Sequence, residues 1–313
     1  LLLLPVKMSF EDFYRKRLMR IAVPFLLWSV LYNLIPWATG LMGLPSSVLS
    51  DVFAYASADA SQSFGDAVRN IFLIPFQFNV YTVPMWYLYM LIGLYLYMPF
   101  FSLWVERATA RQKGIFLAIW FVSLFLPYAY SFFSADLLGT CAWNSFGTLY
   151  YFSGFNGYLL LGYCLAHDVK IWSWLKTLSI SLPLFGIGYW VTYAGFKAMT
   201  ANPHCSEQEM ELFFLYCSPN VALMTVALFL IVRKVKIKSA KLVSLLANIT
   251  KCGLGIYMVH YLVVGLGYGV ADALAVPTAF RIPVTAVISF VVCWGLISLC
   301  YRYAPKCSRW IFG

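Results

Sequence analysis

The chain has 313 residues, of which 62% are hydrophobic and 11% are charged, and its formal net charge is +10. Soluble domains typically carry about 25% charged residues, so this composition excludes a soluble globular protein. A polytopic membrane protein is the class that remains, and its length is best counted in spans of about 20 residues.

Eight apolar stretches predict an all-α bundle of transmembrane helices, because each is long enough to cross a bilayer and strand-like alternation is absent. The predicted spans are residues 21–39, 85–105, 114–133, 147–166, 174–195, 212–232, 252–271 and 282–303. Residues 1–4 are leucines that we interpret as the stub of a preceding helix, so we expect N-terminal residues to be missing. One integral-membrane domain is predicted over residues 1–313.

Basic residues are distributed unevenly between the two sides of these spans. Of the 22 lysines and arginines, only Arg69, Lys197 and Arg281 fall on one side. Because basic loops are retained in the cytoplasm, the opposite side is predicted to be cytoplasmic, together with both ends of the chain. The positive net charge then reports orientation and contact with membrane lipid, and no nucleic-acid partner is predicted.

A cationic cluster directly precedes the first predicted span and consists of Arg15, Lys16, Arg17 and Arg20. Basic residues beside a span usually set topology and contact anionic lipid. However, Lys16 and Arg20 are four residues apart and share a helical face, which favours a site for a phosphate-bearing ligand. The sequence alone leaves both interpretations open.

Aromatic and amide side chains come together at the predicted outer end of the second span. Trp86 and Tyr87 begin that span, and Gln77 and Asn79 precede it closely. A sugar can stack its apolar face on such rings and pair its hydroxyl groups with such amides. A place in the aromatic belt at the membrane interface, or packing between helices, explains the rings equally well.

Three further interpretations concern the predicted outer loops. Residues 68–84 are too few and too polar for a clean span and are predicted to be interfacial or re-entrant. The preceding loop, residues 40–67, has the composition of a mobile lid. Cys141 and Cys205 fall in outer loops, and the sequence does not decide whether they pair.

The histidines differ in their surroundings. His260 lies about eight residues into its predicted span, roughly 12 Å deep, where a full charge is costly and a neutral imidazole is expected. Such an imidazole serves as a general base or as a structural hydrogen-bonding group, with Tyr257 one turn earlier on the same face. His167 and His204 lie in loops and are predicted to be solvated. No metal-binding pattern is visible, and no metal is predicted.

Four stretches follow one another in a recognisable order: a paired-cation loop ending in proline at 14–24, a Trp-aromatic-Leu sequence at 84–88, an aromatic and glycine-rich span at 151–163, and an Ile-Tyr-x-x-His sequence at 255–260. In this order and spacing they resemble the bacterial membrane-bound acyltransferase 3 family, whose members O-acylate sugars of cell-envelope polymers. The resemblance implies an O-acyltransferase of the bacterial inner membrane.

The resemblance also implies a donor, an acceptor and site residues. Acyl-CoA, most simply acetyl-CoA, is the implied co-substrate, and the candidate residues for its phosphates are Lys16, Arg17, Arg20 and Arg15. An envelope glycan or a lipid-linked sugar is the implied acceptor, with candidate contacts at Trp86, Tyr87, Asn79 and Gln77. The candidate catalytic residues are His260 and Tyr257.

The chain departs from the family at its start, where the family's first helix and most of its second have no counterpart. The family's proposed catalytic His belongs to that first helix, so these 313 residues alone are expected to be inactive. A transporter or flippase of a lipid-linked glycan is the main alternative, and a structural membrane subunit is a third. A transporter would show intramembrane charges or two related halves, and neither is visible. The acceptor sugar, the acyl group and the oligomeric state are not identified by the sequence.

Overall fold

The computed structural model describes residues 4–43, 62–133 and 136–313. Within these ranges the regular secondary structure is helical, and strand-type pairing is limited to an isolated bridge between Cys141 and Asn144. This confirms the all-α prediction for the described residues. Residues 44–61, which form most of the predicted lid at 40–67, lie outside them.

The α-helices of the described residues are numbered here in chain order. They are α1 (Phe10–Phe13), α2 (Met19–Leu41), α3 (Phe64–Leu73), α4 (Trp86–Arg107), α5 (Ala110–Ser123), α6 (Leu126–Phe132), α7 (Asn156–Tyr163), α8 (Trp174–Thr200), α9 (Glu207–Glu211), α10 (Pro219–Val232), α11 (Ala240–Ala273), α12 (Thr278–Tyr303) and α13 (Pro305–Phe312). Two π-helical turns occur at Tyr14–Leu18 and Cys164–Asp168, and 3₁₀ turns at Val83–Met85, Leu137–Gly139, Gly147–Phe152 and Leu212–Phe214.

Six helical stretches among the described residues are long and apolar enough to cross a membrane. They are Phe10–Leu41, Val83–Arg107, Ala110–Ser131, Glu209–Val232, Ala240–Ala273 and Thr278–Tyr303. Each contains or closely overlaps one of the predicted spans, so the protein is a multi-pass membrane protein.

The predicted count of eight spans is not confirmed, because two predicted spans differ from the structure. Residues 147–166 do not form one helix: a 3₁₀ turn ends at Phe152, and α7 begins only at Asn156. Between them Gly154 has a φ of 84°, a left-handed conformation that interrupts a helix. Helix α8 has 27 residues, enough for a span, but its polar residues and glycines leave it less apolar than the six candidates.

The chain divides into two compact units, described separately below. Unit 1 comprises Leu1–Lys7 and Met98–Lys236, and unit 2 comprises Met8–Tyr97 and Ile237–Gly313. Cys141 and Cys205, whose pairing the sequence left open, are both in unit 1 and are free thiols.

Close helix packing in unit 1 depends on two glycines. A Cβ atom on Gly188 of α8 would lie 2.5 Å from the carbonyl oxygen of Asn220 on α10, so a larger residue would push these helices apart. A Cβ atom on Gly157 would lie 2.2 Å from the Trp120 ring. The indole Nε1 of Trp120 donates to the Gly154 carbonyl at 2.9 Å, which fixes the interrupted segment against α5.

Unit 1 also contains a half-buried ion pair at the start of α5. The Lys113 Nζ lies 2.6 Å from Asp168 Oδ2, and the lysine side chain is only 9% exposed. The same Nζ lies 4.8 Å from the centroid of the Tyr163 ring. A charge this poorly solvated is tolerated because it is paired, so the contact joins α5 to the π-helical turn Cys164–Asp168.

In unit 2, α11 packs closely against α12 and α2. A Cβ atom on Gly267 of α11 would lie 2.4 Å from Ser289 Oγ on α12. Tyr32 of α2 is buried, and its hydroxyl donates to the carbonyl oxygen of Met258 on α11 at 2.6 Å. A buried hydroxyl group is costly unless it is bonded, so this bond fixes α2 relative to α11.

The short helix α13 is fixed against both α2 and α11. The indole Nε1 of Trp28 on α2 donates to the Ile311 carbonyl at 2.9 Å. A Cβ atom on Gly255 of α11 would lie 2.9 Å from Phe312 Cβ, so the glycine allows α13 to approach. These contacts place the basic face of α13 beside the start of α2.

Candidate functional site

Unit 2 contains a pocket of about 560 Å³ in which every charged lining residue is basic. It lies between the start of α2, the middle of α11, and α13. Its basic residues are Arg15, Lys16, Arg20, Lys251 and Arg309. We name it the cationic pocket. Five basic side chains, with no acidic side chain among the described lining residues, favour a ligand with several negative charges.

A π-helical turn carries the first basic residues of this pocket. The backbone N–H of Met19 bonds to the Tyr14 carbonyl, five residues earlier, which widens the turn Tyr14–Leu18. Arg15 and Lys16 lie in this turn and line the pocket together with Arg20, whereas Arg17 is not in the lining. Three of the four residues proposed for donor binding therefore lie together.

The ion pairs of the π-helical turn are weak. Arg15 Nη2 and Lys16 Nζ both contact Asp12 Oδ1, at 3.0 and 3.3 Å. Both basic side chains are largely exposed, and exposed ion pairs contribute little to stability. A phosphate group is a competitive partner for these cations because it accepts several charge-assisted hydrogen bonds at once.

Two further cations have partners outside the π-helical turn. The Arg20 guanidinium donates from Nε and Nη2 to the backbone oxygen of Gly313, at 3.0 and 2.8 Å. The Lys251 Nζ lies over the Tyr301 ring, 4.2 Å from its centroid. Both contacts orient a cation that lines the pocket.

His260 lies deeper along α11 than Lys251, by roughly 14 Å at 1.5 Å per residue. It is half-buried, and its Nδ1 lies 2.5 Å from the Tyr257 carbonyl oxygen. A carbonyl oxygen only accepts, so Nδ1 is the donor in this contact. A general base acting through Nε2 requires this role of Nδ1.

Aromatic rings connect His260 with the start of α4. The Tyr257 and His260 ring centroids are 5.4 Å apart, and those of Tyr87 and Tyr257 are 5.2 Å apart. Trp86 follows at 6.0 Å from Tyr87. The Tyr257 hydroxyl donates to the Pro84 carbonyl, which fixes its ring beside α4. The structure thus brings together the proposed catalytic pair and the two proposed aromatic acceptor contacts.

The two proposed amide contacts are arranged differently. Asn79 Nδ2 donates to Asn33 Oδ1 at 2.7 Å, so this amide anchors its turn to α2. The Gln77 side chain is exposed, and its backbone carbonyl accepts from the Tyr89 hydroxyl at 2.9 Å. Sugar contact by either residue remains a prediction. Helix α3 and the following turn are too short to cross a membrane, in agreement with the expectation for residues 68–84.

The remaining histidines belong to unit 1. The His167 ring packs on Tyr163 with centroids 4.8 Å apart. His204 is exposed, and its backbone N–H donates to Asn202 Oδ1 at 3.0 Å. Among the described residues, no group of three or more His, Cys, Asp or Glu side chains could hold a metal ion.

Sequence reasoning missed three residues of the site. Lys251 and Arg309 were counted among the cytoplasmic charges, and only the tertiary contacts of α11 and α13 place them in the cationic pocket. Asn33 is completely buried inside a predicted span and supports the turn of Asn79. A polar amide within an apolar span was the available signal for Asn33, because such a group needs a partner.

The helical spans define a multi-pass membrane protein with a basic pocket and with an imidazole inside one of the six candidate spans. The chain matches the model of the acyltransferase 3 family, described as an acyltransferase domain, over residues 1–298. Because the match covers nearly the whole chain, the protein belongs to this family and is a membrane acyltransferase. Searches of curated proteins and of solved structures gave no match.

Proposed function

We propose that the protein transfers an acyl group, most simply acetyl, from acyl-CoA to a hydroxyl group of a cell-envelope carbohydrate. The donor is an acyl-CoA whose phosphates bind in the cationic pocket, and the acceptor is an envelope glycan or a lipid-linked sugar. The chain functions in the inner membrane of a bacterium, with the cationic pocket and both chain ends on the cytoplasmic side. No metal takes part.

The cationic pocket is the observation that carries this proposal. CoA bears phosphate groups at the 3′ position and in its pyrophosphate, and the five basic side chains can neutralise them together. The pocket is also lined by the exposed Trp310 indole, which provides apolar surface for the adenine. Anionic lipid would meet the same charges but would not need five of them around one concave site.

The position of His260 supports the chemistry of transfer. The flexible pantetheine arm of CoA extends away from the phosphates, so the thioester can approach His260 while the phosphates stay at Lys251. His260 Nε2 accepts the proton of the sugar hydroxyl while the oxygen of that hydroxyl forms a bond to the thioester carbonyl carbon. The C–S bond then breaks, and the proton passes to the departing CoA thiolate. The products are an ester and free CoA.

Calorimetry with CoA tests the donor site, using the intact protein in lipid nanodiscs. We expect Lys16→Ala to weaken CoA binding about tenfold, because a charge-assisted contact is lost. Arg107→Ala is the matched control, since it removes an exposed cation that does not line the pocket. Equal CoA affinity in the wild type and Lys16→Ala would contradict the proposed donor site.

The transfer reaction is tested in cell-envelope membranes that contain the full-length protein and its glycan, with radiolabelled acetyl-CoA followed by mass spectrometry of the glycan. We expect label in an alkali-labile ester of the glycan. Transport of a lipid-linked glycan without incorporation of acetyl would contradict an acyltransferase and favour a flippase.

A further inference from the structure

We propose that a second pocket of unit 2 is a subsite for an uncharged sugar residue, formed by polar side chains of α3 and the turn that follows it. The inference rests on the proposed function, because it locates part of the acceptor. The pocket measures about 350 Å³, a size suited to a small ligand. Its polar lining residues are Gln62, Asp66, Arg69, Asn70, Gln77 and Tyr81. We name it the polar pocket.

The charge of the polar pocket favours an uncharged ligand. Its charged lining residues are Asp66 and Arg69, whose formal charges cancel. The other polar groups are amides and a phenol. Hydroxyl groups of a sugar both donate and accept hydrogen bonds, and this mixture of donors and acceptors matches them. A phosphate-bearing ligand would meet the Asp66 carboxylate here.

A chain of amide hydrogen bonds holds the pocket in shape before a ligand binds. Asn70 Nδ2 donates to Gln62 Oε1 at 2.8 Å, and Gln62 Nε2 donates to the Asn33 carbonyl at 2.6 Å. These bonds orient Asn70 Oδ1 and the second N–H of Gln62 for further partners. Side chains that are already ordered lose less entropy on binding, which favours recognition of a small polar ligand.

The two charged residues of the pocket have different surroundings. Asp66 Oδ2 accepts from the Ser63 hydroxyl at 2.7 Å at the start of α3. Although Arg69 lies one turn later, no ion pair joins it to Asp66, and the described residues provide no partner for its guanidinium. Its five N–H groups are available to a ligand that supplies oxygen acceptors.

Tyr81 completes the wall with a ring and a hydroxyl group. Burial raises the pKa of the Tyr81 hydroxyl, and the negative charge of Asp66 raises it further. The hydroxyl therefore keeps its proton at neutral pH. Its ring supplies a surface against which the apolar face of a pyranose can pack.

The apolar face of α3 places the pocket at a membrane surface. Phe64 and Phe72 of α3, and Phe76 just after it, are exposed, whereas Asp66, Arg69 and Asn70 line the pocket. Aromatic residues on one face and polar residues on the other are typical of a helix lying in the membrane interface. A sugar carried on a lipid would reach such a site directly.

The polar and cationic pockets lie at different depths of unit 2. Gln62 is bonded to Asn33 on α2, and Arg20 of the cationic pocket is on the same helix. These α2 residues are separated by roughly 20 Å at 1.5 Å per residue. The two pockets can therefore serve ligands that arrive from opposite membrane surfaces.

Saturation-transfer NMR of the intact protein in nanodiscs tests the subsite. The probes are the methyl glycosides of glucose, galactose and N-acetylglucosamine, with glucose 6-phosphate as the charged comparison. We expect at least one glycoside to receive saturation, and Asn70→Leu and Arg69→Gln to reduce its signal at least fivefold. Lys197→Gln, a charge removal at an exposed site outside the pocket, should leave it unchanged.

Three results would overturn the inference: no saturation of any glycoside, equal signals in the wild type and both pocket variants, or stronger saturation of glucose 6-phosphate. Thermal melting of each variant excludes loss of fold as the cause of a lost signal. Calorimetry with CoA on the same samples keeps the two proposals separate. Glycoside binding without CoA binding contradicts the donor site alone, and CoA binding without glycoside binding contradicts the subsite alone.

Discussion

The cationic pocket is lined by five basic side chains, whereas the polar pocket is lined by one arginine, one carboxylate, three amides and a tyrosine. Both belong to unit 2 and both use α2 as a support. The difference shows that one helical scaffold can present two chemically distinct surfaces. The first suits a multiply charged anion, and the second suits hydroxyl groups.

The largest effect is expected for His260, which lies in neither pocket lining. His260→Ala should lower acyl turnover by a factor of about 10² or more, the usual contribution of a general base. The affinity for CoA should not change. Radiolabelled transfer by the full-length protein and calorimetry measure the two quantities, and His204→Ala, which removes an exposed imidazole outside the site, is the control. Full turnover in His260→Ala would assign the imidazole a structural role.

The next effect concerns the two cations that sequence reasoning missed. The double variant Lys251→Ala and Arg309→Ala should bind CoA about a hundredfold more weakly, because two charge-assisted contacts are lost. The CoA affinity of the wild type should also fall as the salt concentration rises. It should fall more steeply than the CoA affinity of the double variant. Calorimetry at two salt concentrations measures both effects. If the CoA affinities of the wild type and the double variant depended on salt equally, Lys251 and Arg309 would not face the bound CoA.

A smaller effect is expected where α13 meets α11. Gly255→Val should displace Phe312 and with it Arg309, and weaken CoA binding about tenfold. Gly253→Val is the matched control, because a Cβ atom at Gly253 meets nothing within 4 Å. Glycoside saturation in the polar pocket should be equal in both variants. A loss of both ligands in Gly255→Val would mean that the two pockets are not independent.

The smallest effect in this series is expected for Arg17. It belongs to the cationic cluster of the sequence but is absent from the pocket lining. Arg17→Ala should therefore change CoA affinity less than threefold, through long-range potential alone. Calorimetry beside Lys16→Ala measures the contrast. An equal loss in both variants would restore Arg17 to the donor site.

Arg17 and Lys251 show how far the sequence predicted the site. Hydropathy identified six spans correctly because a membrane requires long apolar helices. The spacing of Lys16 and Arg20 also predicted their shared face. However, the spacing rule assumes a regular α-helix, whereas Tyr14–Leu18 is a wider π-helical turn. Lys251 and Arg309 are brought to the pocket by packing between distant segments, which local patterns do not contain.

The interrupted span at 147–166 gives the same lesson for the fold. Its composition is apolar and aromatic, as a span requires, so hydropathy predicted one helix. The left-handed Gly154 and the bond from Trp120 to its carbonyl oxygen depend on a partner helix instead. The polar pocket was missed for a related reason. Its three amides are spread over residues 62–77, and only the fold of that segment brings them together.

The ion pair of Lys113 with Asp168 has a consequence for the synthesis of the protein on the ribosome. The two residues are 55 positions apart, so the lysine is synthesised first. Because the ribosome adds about 5–20 residues per second, Asp168 is synthesised roughly 3 to 11 seconds after Lys113. During that interval the lysine lacks this carboxylate partner. The proposed retention of its loop in the cytoplasm would therefore act on an unpaired Lys113, which becomes a fixed contact only in the finished fold.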